Sequence, residues 1–352
     1  MWRAPACLFV AVAATALLNP RPVSTQGAAA PARFPTFEFH RIDGIGSQIG
    51  QTALVDVDND GDLDWIAGQA DRTGADIWWW EYQGPDRWVR HAIGKGNTDV
   101  GGAPFDVNRD GWIDFLSGSV LLVNSKTPRE TPFTSHAVGT IYSHDTEFAD
   151  INGDGRMDAL ANSDLTGLFW YEIPSDPTQP WTPHLIASSA SHQIHGGVSP
   201  RATGDMDGDA DMDIVQAEAD NPDGRVAWFE NDGRGQWTRH LIKDKGGLQD
   251  FHALAVADFD GDGDLDVFSG GGPLSVAGTQ TSFIWENTAG ARGRSTPDTW
   301  VEHIIIKKPV HEVEAGDVDG DGDIDLVAKP WTEGNEHFYL RNMLMEGASR
   351  AR

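Results

Sequence analysis

Hydrophobic and polar positions repeat one order six times along this chain. An apolar run leads into a nine-residue loop of alternating acids, and a second apolar run follows. Then comes an aromatic-rich run, seen at Trp79-Trp80-Glu81, Trp170-Tyr171-Glu172, Trp228-Phe229-Glu230-Asn231 and Trp285-Glu286-Asn287. It is degenerate at Leu122-Val123-Asn124 and at Tyr339-Leu340-Arg341-Asn342. The fourth run carries an aromatic, two residues, His, one residue and an aliphatic, as in Trp88/His91/Ile93, Trp181/His184/Ile186, Trp237/His240/Ile242 and Trp300/His303/Ile305. Phe37/His40/Ile42 and Phe133/His136/Val138 are the same signature. Short runs bounded by turn residues predict strands rather than helices.

The acid loops set the period. They run from Asp56 through Asp58, Asp60 and Asp62 to Asp64; from Asp106 through Asn108, Asp110 and Trp112 to Asp114; and from Asp150 through Asn152, Asp154 and Arg156 to Asp158. The remaining three hold Asp205, Asp207, Asp209, Asp211 and Asp213; Asp258, Asp260, Asp262, Asp264 and Asp266; and Asp317, Asp319, Asp321, Asp323 and Asp325. Their first residues are 50, 44, 55, 53 and 59 apart. About 50 residues and four strands per unit describe a propeller blade. The expected fold is therefore all-β, a single propeller of six four-stranded blades spanning 36–343. The His-bearing strand at Phe37–Ile42 precedes the first acid loop, whereas the last unit ends at its third strand. The N-terminal strand is thus expected to complete the last blade, with 344–352 a C-terminal tail.

Carboxylates at alternate positions 1, 3 and 5, a carbonyl at position 7 and an acid at position 9 form an oxygen shell for a hard cation. Glycine at position 6 supplies the left-handed turn. All-oxygen ligation from a loop favours calcium over zinc, and up to six ions are expected. An EF-hand would need Glu at position 12, where this chain has Ala67, Ser117, Ala161, Gln216, Ser269 and Ala328. In the fourth loop Ala210 stands where glycine belongs, so a Cβ must occupy a positive-φ position.

The chain has 352 residues, with 54 Asp plus Glu against 26 Lys plus Arg, for a formal charge of -28. The six loops hold 26 of those acids, so elsewhere 28 acids nearly balance the 26 bases. A net charge of -28 argues against nucleic-acid or anionic-membrane partners, which need clustered positive charge. Fourteen Trp and 39% hydrophobic residues argue against a disordered acidic chain. Residues 1–30 read as a secretory signal and linker: Arg3 precedes an apolar run from Ala6 to Leu18, with cleavage expected between Thr25 and Ala32. That run is too short to span a bilayer, and no other segment is apolar enough. The lone Cys7 would be lost with the signal, leaving a secreted or periplasmic monomer without disulfides.

The loops resemble FG-GAP/VCBS-type repeats, found in integrin-like β-propellers and in many secreted bacterial proteins. The resemblance covers about 36–343 and implies a calcium-loop propeller, although integrin propellers have seven blades. It is compatible with adhesion modules, lectin-like domains, and carbohydrate lyases or dehydratases.

Candidate chemistry lies at the other end of the strands. His144, His252 and His311 each precede the first loop Asp by six residues, ~20 Å along a strand and too far to ligate the same ion. That places them at the opposite mouth of the central channel. His192 and His195 also lie before an acid loop, and Asp145, Glu147, Asp250, Glu312 and Glu314 should reach the same rim. So should Lys329, Trp331 and His337 from the last blade, and Asp71, Asp164, Glu218 and Asp220 from equivalent loops. His144, His252, His311 and Lys329 are the catalytic candidates; His195, Asp250, Glu312, Glu314, Trp331 and His337 are the ligand-binding candidates. His and carboxylate could hold an additional divalent metal there. A His or Lys could instead remove a proton α to a carbonyl. The six repeat histidines are expected to serve packing. The expected function is recognition of an extracellular ligand, carbohydrate, opposite the calcium loops; an eliminating enzyme on sugars or uronates and a protein–protein adhesion module are the alternatives.

Overall fold

The computed structural model describes residues 34–349 apart from 71–73, 98–99, 140–144, 150–153, 164–166, 189–202, 211–212, 218, 220–222, 232–236, 245–248, 277, 290–298 and 333–335. The signal segment read from the sequence lies outside these residues.

Each acid loop turns one strand back on the next, so the repeat builds antiparallel meanders. β1 (Phe37–Asp43) stands apart in sequence from the rest of its sheet. The first blade is β2 (Ile49–Val55), β3 (Asp64–Gln69), β4 (Ala75–Tyr82) and β5 (Trp88–Gly96). The second is β6 (Ala103–Phe105), β7 (Asp114–Ser117), β8 (Val120–Val123) and β9 (Thr134–Ala137). The third is β10 (Asp145–Ala149), β11 (Asp158–Ser163), β12 (Gly167–Glu172) and β13 (Thr182–Ser188). The fourth is β14 (Thr203–Gly204), β15 (Asp213–Ala217), β16 (Val226–Asn231) and β17 (Trp237–Lys243). The fifth is β18 (Ala253–Ala257), β19 (Asp266–Gly270), β20 (Ser282–Asn287) and β21 (Trp300–Ile306). The sixth holds β22 (Glu312–Gly316), β23 (Asp325–Lys329) and β24 (His337–Asn342), and takes β1 as its outer strand. β1 pairs with β24 from Phe37↔Asn342 to Asp43↔His337, so the chain's two ends share one sheet. The fold is an all-β propeller of six four-stranded sheets.

The core lies between sheets rather than within any one of them. Ile66 and Trp79 of the first blade pack with Phe115 and Leu122 of the second. Phe268 and Ile284 of the fifth pack with Leu326 and Phe338 of the sixth. Trp65 and Trp80 of the first pack with Val327 and Tyr339 of the sixth. Two further clusters join the second blade to the third and the fourth to the fifth. No sheet buries its faces without neighbours, and fully enclosed Trp65, Trp79, Trp80, Trp228 and Trp285 supply much of the buried area. β22 lies beside both β18 and β2, which brings the starts of the fifth, sixth and first inner strands together.

The repeat histidines pack as expected. His91, His184 and His240 stack on Trp79, Trp170 and Trp228 at 4.5, 4.1 and 4.4 Å. Their Nε2 atoms lie 3.0, 3.9 and 2.6 Å from Glu81, Glu172 and Glu230. The C-terminal segment after the last strand forms α1 (Leu344–Ser349). Its Met345 N–H donates to Asp323 Oδ2 at 2.9 Å, capping the sixth acid loop. Among the described residues no helix is long and apolar enough to cross a membrane.

Removing the residues before Ile45 strips β24 of its partner and opens a sheet edge. The truncated protein should melt several degrees lower, at roughly 2–4 °C per kcal/mol lost. An unchanged melting temperature would contradict closure of the last blade by β1.

Candidate functional site

The acid loops are held in shape from within. The first-position carboxylate accepts the N–H groups of positions 5 and 6: Asp106 takes Asp110 N at 2.9 Å and Gly111 N at 2.8 Å, and Asp258 takes Asp262 N at 3.1 Å and Gly263 N at 3.0 Å. Asp56 and Asp205 do the same. The φ angle at position 6 is +100° at Gly61, +97° at Gly263 and +73° at Ala210, so the fourth loop keeps the turn despite its Cβ. Position 4 is left-handed too, at Asn59, Arg109, Gly208, Gly261 and Gly320. The recurrence of Gly and Asn there was the readable signal of that second turn.

Position 9 does more than the sequence reading assigned to it. Asp64, Asp114, Asp213, Asp266 and Asp325 are fully enclosed. Asp266 Oδ2 accepts the Phe259 N–H at 3.0 Å and Oδ1 accepts the Asn287 N–H at 2.8 Å. Asp64 bridges Val57 N and Tyr82 N, Asp114 bridges Val107 N and Asn124 N, and Asp325 bridges Val318 N and Asn342 N. One buried carboxylate thus ties its loop to the third strand of its own sheet. The third-strand asparagine then ties sheet to sheet. Asn124 Nδ2 donates to the Val57 carbonyl at 3.0 Å, and Asn342 Nδ2 donates to the Phe259 carbonyl at 2.8 Å, each in the preceding blade's loop.

The donor set fits calcium. Carboxylate oxygens of Asp56, Asp58 and Asp64, of Asp205, Asp207 and Asp213, and of Asp258, Asp260 and Asp262 each lie within 4.8 Å of one another. Oδ1 of Asp58, of Asp317 and of Asp323 is buried without a hydrogen bond, and a cation is what such an oxygen lacks. The sequence reading missed Glu81, whose carboxylate joins Asp58 and Asp60 within the same distance. Basic side chains reach four loops: Lys126 Nζ is 3.0 Å from Asp110 in the second and Arg156 Nη2 is 2.8 Å from Asp154 in the third. Arg129 Nη2 is 2.7 Å from Asp58, 2.6 Å from Asp60 and 3.0 Å from Glu81, while Arg341 Nε is 2.5 Å from Asp319. Among the described residues no basic group lies at ion-pair distance from Asp258, Asp260 or Asp262. Asp150, Asn152 and Asp211 lie outside the described residues.

The second cluster sits at the far end of the inner strands. His252 precedes β18 and His311 precedes β22, and their rings stack at 4.0 Å. Trp331, just after β23, stacks on the other face of His311 at 4.4 Å. Glu312 Oε1 is 3.3 Å from His311 Nδ1, and Glu312 pairs across the ladder with Lys329. Burial pushes the His311 imidazole down, to about 3, against the pull of the Glu312 carboxylate, so the ring is neutral. Burial pushes the Glu312 carboxyl up, but the His311 contact and the Lys329 ammonium outweigh it and hold it at about 2.

Other candidates turn inward. Lys329 is fully enclosed and its ammonium donates to the Ile49 carbonyl, linking the sixth blade to the first. His337 is fully enclosed edge-on to Trp65 and Trp80, and burial, with Lys329 nearby, pushes it down to about 4. It is a core histidine rather than a rim group. Asp250 is enclosed as well; its Oδ2 accepts the Leu274 N–H at 3.0 Å and fastens the turn after β19. A Cβ on Gly272 would meet that carboxylate at 2.5 Å, which is why the turn has glycine there. Glu314 is 5% exposed. His144 and His195 lie outside the described residues.

Residues 150–216 and 205–269 match the family model of the FG-GAP-like repeat, so this stretch carries FG-GAP-type repeats as the loops suggested. No curated protein matches the chain. The catalytic domain of a Coprinopsis cinerea GH62 α-L-arabinofuranosidase is similar in structure at 10% identity and TM-score 0.40, over 89% of this chain and 98% of its own. A thermostable family-43 glycoside hydrolase is similar at 12% identity and TM-score 0.39, over 86% and 91%. BBS1N, solved in complex with ARL6DN, is similar at 10% identity and TM-score 0.43, over 84% and 93%. Likeness at this level says nothing about this chain's chemistry.

Replacing Asp266 with Ala strands two buried N–H groups, and should lower stability by ~2 kcal/mol or more; a thermal shift below a degree or two would refute the clamp. Burial, with the neighbouring acids adding to it, pushes the Asp64 and Asp266 carboxyls up to about 8 and Asp325 to about 7, well above the ordinary range. Groups raised in the fold favour it at low pH and lose that contribution as pH rises through the folded value. In chelator, the melting temperature should therefore fall between pH 5 and pH 8, and calcium should remove most of that fall. A chelated protein that gains stability over this range would contradict the burial of these acids.

Proposed function

We propose that this chain is an exported calcium-loop β-propeller that recognises a carbohydrate at the rim formed by His252, His311, Glu312 and Trp331. Calcium in the acid loops supplies the scaffold. The loops are all-oxygen and pre-folded by their own N–H groups, and they leave buried carboxylate oxygens without hydrogen bonds. Extracellular modules of this kind bind calcium at about 10⁻⁴–10⁻³ M, a range that suits an exported protein. Arg129, Lys126, Arg156 and Arg341 already offset part of the charge in the first, second, third and sixth loops, so the fifth should fill first.

The observation that carries the recognition reading is the continuous stack of His252, His311 and Trp331 beside a charged carboxylate. The half-exposed Trp331 packs on the apolar C–H side of a sugar, while the Glu312 carboxylate and the half-exposed His252 imidazole take its hydroxyls. Binding is favoured over elimination for a structural reason. His311 is 4% exposed, and Lys329 is sealed against a main-chain carbonyl. Neither stands where it could exchange a proton with a substrate.

A panel of neutral and acidic polysaccharides, with calcium present, tests both readings. At least one glycan should bind, and Trp331→Ala should weaken it by roughly tenfold, about 1.4 kcal/mol. New ultraviolet absorbance from unsaturated products would replace recognition with elimination, and no binding across the panel would overturn the carbohydrate reading.

A further inference from the structure

We propose that His252, His311 and Glu312 hold one divalent transition-metal ion of the zinc class, chemically distinct from the calcium loops and placed within the proposed carbohydrate rim. One ligand atom from each of the three residues lies within 4.8 Å of the other two. Nitrogen donors separate this cluster from the acid loops. Two imidazoles with one carboxylate suit zinc or its neighbours, whereas calcium takes oxygen.

Hydrogen bonding around the cluster supports the assignment. His252 Nδ1 is 3.2 Å from the His311 carbonyl oxygen. A carbonyl only accepts, so Nδ1 carries the proton and Nε2 keeps its lone pair for a metal. A main-chain carbonyl fixing the outer nitrogen of a histidine is the usual support of a metal-binding imidazole. His311 is 4% exposed, and its Nδ1 makes no hydrogen bond, with only the Glu312 carboxylate nearby at 3.3 Å. A buried imidazole nitrogen in that condition lacks a partner that an ion would supply.

Two features define how the ion would sit. The rings are stacked with their planes 28° apart, so the ion would sit at the edge of the stack, where one nitrogen of each ring is offered. Trp331 braces the other face of His311, and the carbonyl contact holds the half-buried His252 beside it. Lys329 is the opposing charge. Glu312 faces it across the ladder, and Glu314 lies two residues along on the same side of β22. A bound ion near the Lys329 ammonium would give an anionic sugar a cationic partner, which narrows the carbohydrate class of the recognition reading to sugars bearing a carboxylate.

Cobalt(II) tests this directly, because nitrogen-containing coordination gives it visible absorption that calcium ligation does not mimic. The full mature chain, saturated with calcium, should take up about one cobalt per chain with that absorption, and zinc should displace it. His252→Ala should weaken uptake at least about tenfold, and so should Glu312→Gln, with the calcium-dependent melting temperature kept as proof of folding. Absent visible absorption, or uptake unchanged in both variants, would overturn the metal site. Glycan binding is read separately in metal-stripped protein. If the cobalt experiment fails while neutral glycans still bind, the metal is wrong and the rim stands; if cobalt binds and no glycan does, the rim reading fails alone. Equal affinity for neutral and acidic glycans in the zinc-loaded protein would overturn the preference for carboxylated sugars.

Discussion

The buried aspartate at the end of each acid loop is the contact on which the rest of the structure depends. A carboxylate at zero exposure is expensive to enclose unless both oxygens are satisfied, and here each takes a main-chain N–H from a different segment. One N–H comes from the loop itself and the other from the third strand. The loop therefore cannot move without uncovering a buried carboxyl group, and the strand cannot slip without leaving its own N–H unpaired. Because the same clamp recurs at Asp64, Asp114, Asp266 and Asp325, the register of each of these blades is fixed at the same point.

From that fixed end the chemistry divides. The clamp gathers acids at one end of the strands, where their mutual repulsion demands cations. Arg129 and Arg341 show the protein supplying part of this charge itself. At the other end of the strands the inner strands of the fifth, sixth and first blades come together. There His252, His311, Glu312 and Trp331 meet, although they are separated by up to 79 residues in the chain. One end is built from local sequence and the other from neighbouring blades.

That difference explains what was legible. Loop residues lie within nine positions of each other, so their spacing alone specified the turn, the acid positions and the demand for an oxygen-seeking ion. The third-strand Glu81 was not legible as part of that set, because it reaches Asp58 and Asp60 only through the pairing of β3 with β4. The two jobs of the position 9 acid were hidden for the same reason: half of its partners are on another strand. Lys329, His337 and Asp250 read as rim groups from their places at strand ends. Strand ends do not tell which way a side chain turns, and all three turn into the core.

The sequence by itself determined the all-β propeller, its six units, the order of strands within each and the completion of the last sheet by the first strand. Those features follow from local periodicity, turn chemistry and the count of copies, and each is repeated often enough to outvote a degenerate example such as Leu122-Val123-Asn124. Tertiary structure alone decided which histidines meet and which charges are sealed away. His311 stacks between His252 of the preceding blade and Trp331 of its own because curvature of the ring sets how close neighbouring inner strands come. That distance is written in the packing of large side chains such as Phe268 and Phe338 between sheets, and no local pattern encodes it.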